Sequence, residues 1–319
     1  MGSTMNLRYD KDYINNIIKD GYELGLKETP KGTVASYIPE LAKAKKEAFG
    51  ICMKDRMGHE ICYGDVTTRF SIQSISKIII LAAALKFKGF DKTFLDVSME
   101  PTGDAFNSII KLDTRSDKPF NPMINAGAIQ IVSSLVNDVP FEEMVQFARV
   151  ICMDPEISLN EAVYMSEDQT GDRNRSIAYL LKSKGVLEAD PLKTVDVYFK
   201  MCSLNVNAKS LAGLGLTISE NGMNPFTHEQ FINPNDIRTI KSIMFTCGLY
   251  DFSGEWGVKV GIPAKSGVGG GIACAAKNGM GFGLYGPSLD QCGNSVAAIK
   301  AMEYISKELG LHVFDYEKE

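Results

Sequence analysis

The sequence predicts an α/β chain of the α+β type: an antiparallel sheet drawn from both ends of the chain, flanked by terminal helices, with an all-helical domain inserted between. Three observations lead there. Short β-like runs separated by turn residues occur early, at 49–53 and 60–63, and late, at 257–260, 267–276 and 281–285. The stretch between them has helical spacing and almost no convincing strand. Amphipathic segments lie at the two ends, at 9–24 and 295–309. The division expected is 1–80 with 240–319 for the sheet and its helices, and 81–239 for the helical domain, with an active site at the seam.

Taken in order, residues 9–24 place Tyr13, Ile14, Ile17, Ile18 and Tyr22 on one helical side. Residues 32–41, with Tyr37 and Pro39, form a loop that starts a short helix. The polar residues 54–59, with Gly58, join the first two β-like runs as a hairpin. Residues 70–85 begin with strand-like alternation and end in the uninterrupted apolar run from Ile78 to Leu85, which reads as a buried helix. From 91 to 118 the chain is irregular. Helices follow at 126–136, 141–152, 172–184, 194–202, 208–216 and 236–247. Late in the chain, Asn278-Gly279 supplies a strong hairpin signal between the last two strands.

Composition narrows the class. The chain has 319 residues, 45% hydrophobic and 23% charged, with a net charge of −5, which gives no reason to expect nucleic acid or an anionic membrane as partner. Residues 1–10 are mostly polar and resemble no signal peptide, so a cytoplasmic protein is expected. Seven scattered cysteines without Cys-x-x-Cys read as reduced thiols rather than a disulfide frame or zinc site. The three histidines have no paired spacing, and neither metal nor organic cofactor is indicated.

The chemistry concentrates at Ser74-Ile75-Ser76-Lys77. Residues i and i+3 share a helical face, so hydroxyl and amine can meet at a helix mouth with unpaired N–H groups. A lysine takes the serine proton only if desolvated, and the apolar run after Lys77 offers that desolvation. The same residues also read as an N-cap serine and a solvated first-turn lysine. A chain this long holds about one Ser-x-x-Lys by chance, and a second, Ser108 to Lys111, is followed by polar residues. The pair gains weight from Lys265-Ser266-Gly267, which opens Val268-Gly269-Gly270-Gly271. In Ser-x-x-Lys enzymes Lys-[Ser/Thr]-Gly lies on an edge strand and its backbone N–H forms half of an oxyanion hole. The Ser-Asp-Asn signature of β-lactamases is absent. Asn125 opens a helix, as cap or as a cleft-facing amide; residues 166–175 read as a polar loop before a helix; and Tyr250 follows a helix end, where a packed core aromatic is the commoner case.

Together, Ser74 to Lys77, the run from Asn121 to Ile129, Ser166-Glu167 with Gly171-Asp172-Arg173-Asn174, Gly248-Leu249-Tyr250-Asp251, Lys265 to Gly271 and Tyr37-Ile38-Pro39-Glu40-Leu41 resemble the serine-dependent glutaminase family, in family order and over 14–309. The resemblance implies a β-lactamase/penicillin-binding-protein-like fold and hydrolysis of L-glutamine to L-glutamate and ammonia. It implies Ser74 as nucleophile, Lys77 as general base and Tyr250 as proton relay. Substrate would be held by Tyr37, Ser74, Asn125, Glu167, Asn174, Tyr198, Tyr250 and the N–H of Val268, in a homodimer or homotetramer. The rival readings are another Ser-x-x-Lys amidohydrolase of β-lactamase type, which would need export, and a non-catalytic amino-acid-binding module, which would have no need of Ser74, Lys77 and Tyr250 together.

Overall fold

A computed structural model describes residues 10–102 and 117–315. Its main sheet has five antiparallel strands, in the order β2 (Glu60–Gly64), β1 (Gly50–Asp55), β8 (Met280–Tyr285), β7 (Gly271–Ala276) and β6 (Ala264–Ser266). Strand β1 pairs with β2 on one side and with β8 on the other. Strand β7 links β8 to the edge strand β6. Both ends of the chain thus share one sheet, and Asn278 and Gly279 both take positive φ in the β7–β8 turn, at 65° and 69°.

Alternation along the strands sorts the two faces. Ile51, Met53, Ile272, Cys274, Phe282 and Leu284 face one core, shared with α1 (Lys11–Leu26) and the last helix, α12 (Val296–Glu308). On the other face lies α9 (Ala208–Ser219), seated on glycines: a Cβ on Gly283 would stand 2.0 Å from the Ala208 carbonyl oxygen, and one on Gly281 2.1 Å from the Leu216 nitrogen. Only bare backbone lets a helix lie this close. Residues 208–219 were expected within the helical insert; they lie on the sheet.

The second core is helical. Its centre is α2 (Ser76–Lys88), buried on all sides from Ile78 to Leu85. Around or beside it run α3 (Phe90–Thr93), α4 (Asn125–Leu135), α5 (Phe141–Ile151), α6 (Glu161–Thr170), α7 (Asp172–Ser183), α8 (Pro191–Cys202) and α10 (Pro234–Cys247). A small sheet, β3 (Phe70–Ser71), β5 (Leu204–Val206) and β4 (Ser158–Leu159), leads the chain into α2. These strands are too short to show alternation in the sequence.

Two more expectations are corrected. Residues 257–260, expected as strand, fall at the end of α11 (Ser253–Lys259) and just beyond it. Trp256 and Val260, four apart, are fully buried, while Val258 between them is 79% exposed, which is helical spacing rather than alternation. Of residues 166–175, expected as a polar loop before a helix, 166–170 are the end of α6, while the helix expected from 172 is α7. The second Ser-x-x-Lys, Ser108 to Lys111, and part of 91–118 lie outside the described residues. Among the described residues no helix is long and apolar enough to cross a membrane.

Candidate active site

Strand β3 delivers the chain into a single 3₁₀ turn, Gln73–Ile75, and α2 begins directly after it. Gln73 has φ 49°, in the left-handed region, which tips Ser74 away from a capping position. The N-cap of α2 is Ile75, and no side chain caps it, so the capping reading of Ser74 fails. Lys77 is 0% exposed. Its Nζ lies 3.0 Å from Ser74 Oγ and 2.8 Å from Asn125 Oδ1. Burial pulls the Lys77 ammonium down to about 8, against weaker support from Cys202 and Glu167.

Asn125 is the first residue of α4, and its amide turns inward instead of capping. Its Oδ1 accepts from Lys77 and, at 3.2 Å, from the Tyr198 hydroxyl on α8, while its Nδ2 donates to Asn174 Oδ1 on α7 at 3.0 Å. Glu167, near the end of α6, is buried. Burial pushes its carboxyl up to about 7, partly offset by a hydrogen bond from Gln73 and by the charge of Lys77. The break between α6 and α7 falls at Gly171, where a Cβ would strike the Phe199 ring at 2.1 Å.

The opposite wall is the strand β6 and the glycine loop after it. A Cβ on Gly267 would meet the Ile72 carbonyl oxygen at 2.8 Å, and one on Gly269 would meet that of Ser71 at 2.5 Å. Val268, between them, is thereby pressed against the segment that carries Ser74. Tyr250 also has positive φ, 54°. Its hydroxyl lies within hydrogen-bonding reach of Ser74 and of the Val268 N–H, and donates to the Ser266 carbonyl at 3.4 Å. Burial raises this phenol, and those contacts pull it back. Under the ring sits Lys265, fully buried, its Nζ 4.3 Å from the ring centroid and donating to the carbonyls of Gly248 and Ser266 at 2.9 and 2.8 Å. Tyr37 closes the outer side with a 57% exposed ring and an inward hydroxyl donating to Gln73 Oε1 at 3.3 Å.

Ser74, Lys77, Asn125, Asn174 and Tyr198 therefore form one hydrogen-bonded chain. Tyr250 and Val268 abut it from the sheet side, and Tyr37 and Glu167 both contact Gln73, the residue before Ser74. Sequence reading missed Gln73, which braces both Tyr37 and Glu167, and Cys202, whose thiol packs 3.6 Å from Ser76 Oγ. A glutamine at positive φ has no sequence signature. Lys265 was quoted within its motif without a role. The arrangement offers a nucleophile beside a base of lowered pKa, a buried anion and converging amides. Among the described residues, the one group of three His, Cys, Asp or Glu close enough to share a metal is Cys52, Glu60 and Cys62, on β1 and β2.

Comparison with known proteins agrees over nearly the whole chain. A family model described as Glutaminase matches residues 32–314. The chain is 46% identical over 308 residues to "Glutaminase 2" of Clostridium perfringens, covering 95% of this chain and 100% of that one. Among solved structures, a probable glutaminase, ybaS, superposes with TM-score 0.91 at 34% identity, covering 97% of this chain and 100% of that one. The Bacillus subtilis glutaminase YbgJ, solved as a covalent complex with 5-oxo-L-norleucine formed by reaction with 6-diazo-5-oxo-L-norleucine, superposes with TM-score 0.82 at 34% identity, covering 92% and 98%.

Proposed function

This chain belongs to the glutaminase family, with its β-lactamase-like fold, and from that premise we propose how its residues hydrolyse L-glutamine to L-glutamate and ammonia. Ser74 is the nucleophile, and the observation that carries this is its 3.0 Å contact with the buried Lys77. An amine held near pKa 8 is neutral in a useful fraction of molecules at neutral pH. Neutral Lys77 keeps one N–H on Asn125 Oδ1 and accepts the Ser74 proton as Oγ attacks the side-chain amide. The backbone N–H groups of Ser74 and Val268 receive the oxyanion. The Lys77 ammonium, relayed through Tyr250, returns the proton to the departing ammonia. Water then cleaves the glutamyl ester by the same route in reverse.

Glutamine enters as a zwitterion, and both charges need partners before it leaves water. Glu167 takes the α-ammonium. Burial raises its pKa to about 7 despite the Lys77 charge nearby, and the α-ammonium of a bound substrate lowers it again. The amides of Asn125 and Asn174 and the hydroxyls of Tyr198 and Tyr37 are placed to receive the α-carboxylate. The protein acts in the cytoplasm as a homodimer or homotetramer, which light scattering on the purified chain tests directly. The nucleophile is tested by reacting the protein with 6-diazo-5-oxo-L-norleucine and mapping the label by peptide mass spectrometry. The label belongs on the peptide containing Ser74 and disappears in Ser74→Ala; a label elsewhere overturns the assignment.

A further inference from the structure

Cys52 and Cys62 face each other across the β1–β2 hairpin, away from the site above. The ladder fixes how closely. Asp55 N donates to the His59 carbonyl and Asp65 N to that of Phe49, so 55/59 and 49/65 are hydrogen-bonded pairs. Strict alternation between those ends makes 52/62 a non-hydrogen-bonded pair, the kind in which side chains stand closest, with Cα atoms about 4.5 Å apart. Both side chains point toward the core beneath α9, where Cys52 is fully buried and Cys62 half-buried. Their sulfurs lie within 4.8 Å of each other and of a Glu60 carboxylate oxygen.

We propose that Cys52 and Cys62 form a redox-responsive dithiol, a modification site that closes to a cross-strand disulfide on reaction with a low-molecular-weight disulfide. Cys62 is the attacking thiol because it is the one reached by solvent. Its thiolate is favoured first by a hydrogen bond from the Cys52 thiol, and then by the ammonium groups of Lys209 and Lys54, which flank Glu60 at 2.6 and 3.5 Å; burial and the Glu60 carboxylate oppose it, and the net shift is downward. The other two half-buried thiols, Cys247 and Cys292, are shifted the opposite way by burial, so reactivity concentrates at Cys62. In the first step the Cys62 thiolate attacks one sulfur of the small disulfide, forming a mixed disulfide and releasing one thiolate. In the second, the Cys52 sulfur attacks the Cys62 sulfur and its proton passes to the second small thiolate as that leaves. Two protein thiols and one disulfide become one protein disulfide and two small thiols. A Cα separation of about 4.5 Å lies within the range a disulfide spans, and thiols reverse the exchange by the same two steps.

The test uses the native full-length chain and glutathione disulfide, followed by alkylation of remaining thiols and peptide mapping. The expected product has lost two hydrogen atoms, links the peptides carrying Cys52 and Cys62, and reopens with dithiothreitol. Cys52→Ser should instead retain a stable glutathione adduct on Cys62, and Cys62→Ser should leave Cys52 unmodified, with glutaminase activity as the folding control. The proposal falls if wild-type protein keeps an unresolved adduct on Cys62, or if Cys247 or Cys292 reacts first. It falls likewise if one equivalent of Zn²⁺ binds tightly to the pair and shields it, which would make the cluster a metal site.

Discussion

At the scale of the residue, the site depends on two buried ionisable groups whose environments push them toward each other. Lys77 is lowered to about 8 and Glu167 raised to about 7, each chiefly by loss of water. In the proposed mechanism both must be deprotonated in free enzyme, Lys77 to accept a proton and Glu167 to attract an ammonium. The profile of kcat/KM against pH should therefore have an acid limb that rises through about 7 and flattens above about 8. Glu167→Gln removes one of the two limbing groups and the charge partner of the α-ammonium. It should lower kcat/KM about 10- to 100-fold, mostly through KM, the worth of a charged hydrogen bond. An unchanged KM would leave Glu167 with a packing role only. Tyr250→Phe should fall instead on kcat, by about 10²-fold or more, because the relay operates after binding.

At the scale of the element, the motifs were legible in the sequence and the way they are pressed together was not. The helix after Ser74 announced itself through eight consecutive apolar residues from Ile78 to Leu85. The β7–β8 hairpin did so through Asn278-Gly279. Helix α6 was missed because of its ten residues only Val163 and Glu167 are buried, which leaves the polar composition of a loop. Its one sequence signal was Asn160, which caps it by accepting from the Val163 N–H at 3.1 Å. Residues 257–260 were misassigned because Gly-Val-Lys-Val alternates by composition, while the buried Trp256 that sets the helical face lies just outside that window. The glycine run 267–271 was readable as a motif, but not that its glycines exist to let Ile72 and Ser71 approach. That approach is testable. Gly269→Val places a Cβ 2.5 Å from the Ser71 carbonyl oxygen and must push the loop outward, carrying the Val268 N–H off the oxyanion position. A loss of about 10²- to 10³-fold in kcat, with far-UV circular dichroism unchanged, is the expected result. Full activity would show that Val268 contributes no donor.

At the scale of the whole molecule, a fully buried amine at the centre of the helical core opposes folding, and the sign of its effect follows from its pKa. The folded value, about 8, lies below the ordinary 10.5, so the unfolded chain binds that proton more tightly than the folded one does. The penalty is complete below about pH 8, shrinks as pH rises, and vanishes above about 10.5, where both states carry a neutral amine. At neutral pH a shift of this size corresponds to roughly 3 kcal/mol, before subtracting the hydrogen bonds to Ser74 and Asn125. Lys77→Met keeps the length of the side chain, removes the charge, and leaves Asn125 Oδ1 paired with the Tyr198 hydroxyl. The variant should be inactive yet more stable than the parent in urea at pH 7, with the difference narrowing as the pH approaches 10. A variant less stable than the parent at pH 7 would mean that the ammonium is well solvated by its partners. Lys77 would then be too basic to take the Ser74 proton, and the proposed mechanism would lose its base.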